Sequence, residues 1–237
     1  MKKYMSAFSI PLFFSMAVSA DIGVSPVQIY LENPEKHKST TVTLESINET
    51  AKRIFEVKVF RWTQDESGKN TLEPDQSILV NPKNFILQPN KSQTIRIGFS
   101  KPAALVLEGQ QEKAWRVILD EIAPAVEESS VQFLMNFSLP LFIGKQDVPN
   151  LKFKVDNKKL IVTNQANSHA QIANLKILDS NKKEVFGGKE LVYLLPHKST
   201  AFDLENVKLT DLKNYKVVFD TDKVESRYKR IEMSLAD

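Results

Sequence analysis

The sequence alternates strictly over residues 131–141, which read Val131-Gln132-Phe133-Leu134-Met135-Asn136-Phe137-Ser138-Leu139-Pro140-Leu141. Every odd position carries an apolar side chain, whereas the even positions are mostly polar. Because successive side chains of a β-strand point to opposite faces, this spacing predicts one strand with six apolar side chains on one face. Burying each of them contributes roughly 1.5–3 kcal/mol, so the stripe contributes on the order of 10 kcal/mol to whatever covers it.

The same period of two recurs on both sides of this stretch, in short runs that Pro, Asn and Gly turns separate. These runs predict strands at residues 27–31, 42–44, 54–60, 94–99, 115–122, 160–163, 172–177, 191–195 and 215–219. No capped amphipathic helix stands out. Short strands with frequent turns are typical of antiparallel sandwiches, so the predicted fold class is all-β.

The composition changes at residues 144–150, which carry Gly, Pro and polar residues without apolar periodicity. Such a segment is typical of a short linker between domains. The sequence therefore predicts two β domains, at residues 21–145 and 146–237.

The first 20 residues have the three parts of a secretory signal peptide. Lys2 and Lys3 come first, an apolar stretch follows, and Val18-Ser19-Ala20 supplies small residues before a cleavage point at Asp21. A membrane anchor is the alternative, but the apolar stretch is short and contains Pro11. We therefore predict an exported protein without stable membrane insertion.

The composition excludes several kinds of site. The formal net charge is +3, or +1 after removal of the two leader lysines, which gives no electrostatic basis for binding nucleic acid. The chain has no cysteine, so disulfides, zinc–thiolate sites and thiol nucleophiles are excluded. Its three histidines, His37, His169 and His197, are far apart in sequence, and no metal or other cofactor is expected.

The apolar stripe has two interpretations. In the first, the domain's own core covers all of it. In the second, part of the strand is an open edge that pairs with another protein, with backbone hydrogen bonds giving affinity and alternate side chains filling pockets. Exposed apolar edges are normally suppressed by charges or prolines. No charge lies between Val131 and Phe142, and Pro140 comes only at the end.

Enzymatic motifs are weak in this sequence. No Gly-x-Ser-x-Gly motif places a nucleophile, and no Gly-rich phosphate loop exists among seven glycines. The carboxylate pairs Asp65-Glu66 and Glu127-Glu128 lie in predicted loops. We therefore expect no enzyme. An exported β-sandwich that binds carbohydrate, or a glycosidase built on one, remains the alternative.

Several segments, taken in order, form a pattern known from one protein family. They are residues 24–31 with 41–48, residues 85–89 with Leu87-Gln88-Pro89 followed by 93–97, residues 115–122 ending in Glu121-Ile122, Leu139-Pro140-Leu141-Phe142, and residues 161–164 and 195–199. Their order and spacing resemble the PapD-like periplasmic chaperones of the chaperone–usher pilus pathway, over nearly all of the mature chain.

This resemblance implies two immunoglobulin-like sandwiches arranged as a boomerang, in the bacterial periplasm. It implies pilin subunits as partners, which the chaperone stabilises by donating a strand to their incomplete fold and delivers to an outer-membrane usher. The donated side chains are then Val131, Phe133, Met135 and Phe137, with Leu139 at the cleft end. Self-association of the free form is left open. A pilus subunit is a less suitable alternative, because pilins are usually single-domain.

The resemblance also implies charged anchor residues. The best-known branch holds the pilin carboxylate with an Arg and a Lys, at positions that carry Gln28 and Pro140 here. A buried carboxylate without a cation is costly, so we expect a divergent branch in which Arg116, or else Lys145, serves as the anchor. An ion pair is an equally good interpretation of Arg116. The resemblance assigns Glu121 an interdomain ion pair, for which Lys145 is a candidate partner; a solvated Glu121 is the alternative.

Overall fold

The computed structural model describes residues 21–107, 109, 111–123, 133–223 and 225–236. This part of the chain is built mainly of β-strands, with two short helices, α1 (Ala103–Leu107) and α2 (Ser226–Lys229), and a 3₁₀ turn at Leu212–Asn214. Within the described residues, no helix has the length and apolar character needed to cross a membrane.

In the described residues, ten strands form the N-terminal half. They are β1 (Asp21–Ser25), β2 (Ile29–Leu31), β3 (Ser39–Ile47), β4 (Arg53–Gln64), β5 (Asn70–Pro74), β6 (Ile78–Asn81), β7 (Asn84–Leu87), β8 (Ser92–Phe99), β9 (Lys113–Ile122) and β10 (Asn136–Ile143). One sheet has the order β1-β3-β8-β6, and the other has the order β2-β10-β9-β4-β5 with β7 also paired to β4. Their inner faces enclose one core, which includes Leu44, Phe55, Ile95 and Trp115.

The alternating sequence determines which face of each strand is buried. In β8, Ile95 and Ile97 are buried in the core, whereas Arg96 between them is exposed. In β9, Val117 and Leu119 are likewise fully buried. The strands predicted at residues 94–99 and 115–122 are therefore confirmed, and hydrophobic burial on the inner face determines which of their side chains face the core.

The part of the C-terminal half that the structure describes contains eight strands. They are β11 (Leu151–Asp156), β12 (Lys159–Asn164), β13 (Ala170–Leu178), β14 (Glu184–Gly187), β15 (Val192–Leu194), β16 (Ser199–Asp203), β17 (Lys216–Asp220) and β18 (Arg230–Ser234). They form the sheets β11-β12-β16 and β14-β13-β17-β18, with β15 paired to β13. Phe153, Val162, Leu175 and Phe219 belong to a second, separate core.

No sheet of the described chain combines strands from both halves, and the predicted boundary at residues 145 and 146 falls between β10 and β11. Two cores between two pairs of sheets confirm the all-β class with two sandwiches.

The first strands explain the geometry around β10. After β1 the chain leaves the first sheet, and β2 joins the second sheet by pairing parallel to β10 at Leu141–Ile143. The strand predicted over residues 131–141 is shorter at its start than expected, because β10 begins at Asn136. By the register of the ladder Leu134 lies opposite Ile122, the last residue of β9, but neither Phe133 nor Leu134 is part of the ladder. Val131 lies outside the described residues.

Candidate functional site

Strand β10 has an open edge along its first five residues. One side pairs antiparallel with β9 over the whole strand, from Asn136 to Ile143, whereas β2 covers the other side only at Leu141–Ile143. Among the described strands, residues 136–140 therefore have a neighbour on one side only. An edge of this kind presents unpaired backbone N–H and C=O groups to an incoming strand.

The register of the ladder identifies the outward-facing groups. The N–H of Glu121 donates to the C=O of Met135 at 2.9 Å, and in an antiparallel ladder such hydrogen-bonded pairs recur at every second residue. The intervening residues Asn136 and Ser138 consequently direct their N–H and C=O groups away from β9. Pro140, also an intervening residue, adds an acceptor but no donor.

The predicted donor side chains show a gradient of burial. Phe133 is 87% exposed, Met135 and Phe137 are partly buried against the N-terminal core, and Leu139 is buried. Val131 was predicted to belong to the same face and lies outside the described residues. The apolar stripe is thus shared between the domain's own core at one end and solvent at the other.

The carboxylate of Glu121 lies at the start of β10. Arg53 Nη1 donates to both of its oxygens at 3.0 Å, and the Met135 backbone N–H donates to Oε2 at 2.9 Å. All these partners belong to the N-terminal half, so the interdomain role predicted for Glu121 is wrong, and so is Lys145 as its partner. The error has a physical reason: Glu121 lies at the end of β9 remote from the linker, whereas Lys145 is an exposed residue just beyond β10.

The guanidinium of Arg116 lies over the indole ring of Trp62, 3.9 Å from the ring centroid, and 5.6 Å from the ring centroid of Tyr193. Its Nη1 also donates to the backbone C=O of Ser138 at 3.4 Å. Burial lowers the pKa of Arg116 below its ordinary value. No carboxylate among the described residues pairs with this cation, so the ion-pair interpretation of Arg116 finds no partner there.

Lys145 is exposed and distant from Arg116. Pro140 lies opposite Arg116 in the ladder, and Lys145 follows Pro140 by five residues. Strand β10 continues from Pro140 to Ile143, and Lys145 lies beyond its end with no described contact to Arg116, so the structure does not bring the two predicted anchor cations together.

A polar cluster that the sequence analysis missed joins the two halves of the chain. His169 Nδ1 lies 3.0 Å from both carboxylate oxygens of Glu112, and His169 Nε2 lies 2.7 Å from Asp222 Oδ2. The hydroxyl of Tyr30 donates to the same Asp222 oxygen at 2.7 Å. Glu112 and Tyr30 belong to the N-terminal half, whereas His169 and Asp222 belong to the C-terminal half. The side chains of Glu112, His169 and Asp222 are almost fully buried.

Protonation of His169 follows from this arrangement. Burial alone would lower the pKa of His169, but the hydrogen bonds and charges of Asp222 and Glu112 outweigh it and raise the pKa. Burial likewise opposes ionisation of Asp222, yet its hydrogen bond and ion pair with His169 lower its pKa. For Tyr30, burial and the neighbouring Asp222 raise the pKa. Below its raised pKa, His169 carries a positive charge between the carboxyl groups of Glu112 and Asp222.

Amide side chains complete this interface. Gln28 Nε2 donates to the hydroxyl of Tyr193 at 2.6 Å. Gln64 Nε2 donates to the backbone C=O of Tyr193, and Gln64 Oε1 accepts from the backbone N–H of Leu195, each at 2.8 Å. Gln64 follows Trp62 on the same buried face of β4. A polar residue in a buried position of a strand indicates that its side chain has a hydrogen-bond partner, and this is the signal by which the sequence could have pointed to Gln64.

Comparison with known proteins places the chain in a family. Residues 22–148 match the model of the pili and flagellar-assembly chaperone family, PapD N-terminal domain. No curated protein matches the chain in sequence.

Solved structures share the fold over almost the whole length. A chain of the CsuC–CsuE chaperone–tip adhesion subunit pre-assembly complex of Acinetobacter baumannii is 19% identical, with a TM-score of 0.68, and the match covers 90% of this chain and 98% of that one. The E. coli chaperone DraB gives 18% identity, a TM-score of 0.60 and coverage of 91% and 97%. A chain of the Salmonella enterica SafA pilin–SafB chaperone complex is 14% identical, with a TM-score of 0.60, and the match covers 93% of this chain and 99% of that one.

The fold and the open edge define a two-sandwich protein of the pilus-chaperone type, and the predicted pair of immunoglobulin-like sandwiches is confirmed. The chain belongs to the pili and flagellar-assembly chaperone family. None of these comparisons supports the alternative of a carbohydrate-binding protein or a glycosidase.

Proposed function

We propose that this protein is a periplasmic chaperone that donates β10 to the incomplete sandwich of a pilin subunit and delivers the subunit to an outer-membrane usher. The observation that carries the proposal is the open edge at residues 136–140, which continues an apolar stripe ending in the exposed Phe133. Membership of the family supports it. So do two similar folds, which come from complexes of a chaperone with a tip adhesion subunit and with a pilin.

Strand donation uses both the backbone and the side chains of this edge. A pilin strand placed beside β10 takes hydrogen bonds from Asn136 and Ser138, whose polar groups face away from β9. Phe133, Met135 and Phe137 then fill the groove of the subunit, together with Val131. The burial gradient supports this division, because the side chains nearest Phe133 leave the most apolar surface for the partner to cover.

Arg116 is the proposed anchor for the C-terminal carboxylate of the subunit. Its guanidinium is partly buried beside Ser138 on β10, and no carboxylate of the described chain pairs with it. A planar guanidinium grips a carboxylate through two parallel hydrogen bonds, and stacking on Trp62 holds its orientation. Lys145 is the second candidate and lies too far along the chain to grip the same group.

The proposed activity is binding without catalysis. The energy for holding the subunit comes from burial of apolar surface and from strand pairing. At the usher, a strand of another subunit replaces β10, and release requires that this strand fits the groove better. The predicted signal peptide at residues 1–20, which gives the periplasmic location, lies outside the described residues.

The test is co-expression of the chain with a pilin subunit of the same organism in the bacterial periplasm. Replacement Phe133→Glu places a charge on the most exposed donor side chain, and soluble subunit should fall at least tenfold. The matched control is Leu191→Glu, because Leu191 is also a large exposed apolar residue, 56% exposed, but lies in the C-terminal half. Equal recovery of soluble subunit with wild type and Phe133→Glu would contradict the proposal.

A further inference from the structure

Three charged side chains form a network at the start of β10. Arg53 donates through Nη1 to both oxygens of Glu121 at 3.0 Å, and through Nη2 and Nε to Glu49 Oε1 at 2.7 and 3.1 Å. The side chains of Glu49 and Glu121 are only 7% and 6% exposed, and that of Arg53 is 21% exposed. Charge-assisted hydrogen bonds with this little exposure hold their geometry more firmly than exposed ion pairs.

The network reaches the donor strand through one backbone group. The carboxylate of Glu121 accepts from the N–H of Met135, while the C=O of Met135 accepts from the N–H of Glu121, both at 2.9 Å. The carboxylate thus takes the place that the backbone C=O of Glu121 would have in a continued ladder. The regular ladder starts one residue later, at Asn136.

Because the Glu121 carboxylate replaces a backbone acceptor at this point, the strand has a fixed starting point. Met135 is attached to β9 and packs against the core, whereas Phe133, two residues earlier, is 87% exposed. When a partner strand extends the ladder, alternate residues share a face, so fixing Met135 sets the face on which Phe133 is presented to the partner. A donor segment held in its binding conformation loses less conformational freedom when a partner arrives.

We propose that Arg53 and Glu121 are positioning residues of the donor strand: they hold Met135 so that Phe133, two residues before it, is presented to the groove of the pilin subunit. This inference rests on the proposed function. Among the described residues, the hydrogen bonds of the Arg53 guanidinium go to Glu49 and Glu121, so Arg53 acts through Glu121, and Glu121 acts through the backbone of Met135.

Two substitutions at Glu121 separate positioning from general stability. Glu121→Met keeps the length of the side chain and removes the acceptor, whereas Glu121→Gln keeps an acceptor oxygen for Met135. Glu232→Gln is the control, because it breaks an exposed ion pair with Lys216 at 2.7 Å in the C-terminal half.

The first readout is amide hydrogen exchange of the isolated full chain, measured by NMR. Glu121→Met should accelerate exchange of the Met135 amide at least tenfold, and Glu121→Gln should change it less than threefold. The amide of Leu139, deeper in the same ladder, should keep its wild-type rate in both variants. An unchanged Met135 amide in Glu121→Met, or an equal acceleration at Leu139, would overturn the inference.

The second readout is soluble pilin subunit after periplasmic co-expression. Glu121→Met and Arg53→Met should reduce it about tenfold, while Glu121→Gln and Glu232→Gln keep it within threefold of wild type. If the exchange rates are as expected but the wild-type chain retains no soluble subunit, the proposed function is rejected. Retention that is equal in wild type and Glu121→Met would reject the positioning role while the proposed function stands.

Discussion

The imidazole of His169 stacks on the ring of Phe142, with ring centroids 3.4 Å apart and planes inclined by 3°. Phe142 lies on β10, two residues after the open edge ends, and His169 belongs to the C-terminal half. The ring that bridges Glu112 and Asp222 therefore also contacts the strand proposed to bind the subunit. We infer that the cleft end of β10 is held in place by the interface between the domains.

We expect the stability of this interface to fall as the pH rises. The folded-state pKa of His169 is raised by Asp222 and Glu112 above its ordinary value of about 6.5, so the unfolded chain loses this proton first. The stabilisation is complete below about pH 6.5 and is lost as the pH rises through the folded-state pKa. The melting temperature of wild type should fall from about pH 6 to about pH 9 more steeply than that of His169→Gln. Circular dichroism measures both profiles, and parallel profiles would refute the assignment.

Removing one carboxylate of the cluster should be strongly destabilising. Glu112→Gln leaves a buried imidazolium with one anionic partner in place of two, and breaking a buried ion pair costs about 3–5 kcal/mol. The free energy of unfolding, measured with urea, should fall by an amount of this order. Glu232→Gln, which breaks the exposed pair with Lys216, should lower the free energy of unfolding far less. Similar losses in the two variants would show that burial of the His169 cluster adds nothing.

Arg116→Ala should weaken capture of the subunit while the melting temperature changes little. The stacking of the partly buried Arg116 on Trp62 contributes about 0.5–2 kcal/mol, which corresponds to a shift of a few degrees for a chain of this size. Arg116→Lys keeps the charge without the planar fork, so it should recover only part of the capture. Lys145→Ala is the comparison, with a smaller effect expected. Soluble subunit and thermal unfolding are the measurements, and a large fall in melting temperature for Arg116→Ala would mark this residue as structural.

The sequence predicted the strands because a strand that is buried on one face has alternating apolar and polar residues, and this pattern is visible in the local sequence. The alternation around Ile95 and Val117 predicted β8 and β9, and the stripe from Phe133 to Leu139 predicted the apolar face of β10. The same alternation does not encode which strand lies alongside. It could not show that β2 pairs with β10 only at Leu141–Ile143, which leaves the edge of β10 open at residues 136–140.

Polar contacts between distant segments were not predictable from one sequence. Glu121 is separated from Arg53 by 68 residues, and His169 from Glu112 by 57. A charged residue at a strand end has the same local appearance whether it is solvated or buried against a partner. For this reason Glu121 was assigned to the wrong interface and His169 received no role.

Hydrogen exchange at the open edge tests the central claim most directly. In the free chain, the amides of Asn136 and Ser138 face away from β9 and should exchange rapidly, whereas those of Phe137 and Leu139 are held in the ladder. In a complex with a pilin subunit, Asn136 and Ser138 should slow by at least about 100-fold, since each gains a backbone partner. The ladder amides of Phe137 and Leu139 serve as the internal control. Unchanged exchange of Asn136 and Ser138 in a stable complex would contradict strand donation by β10.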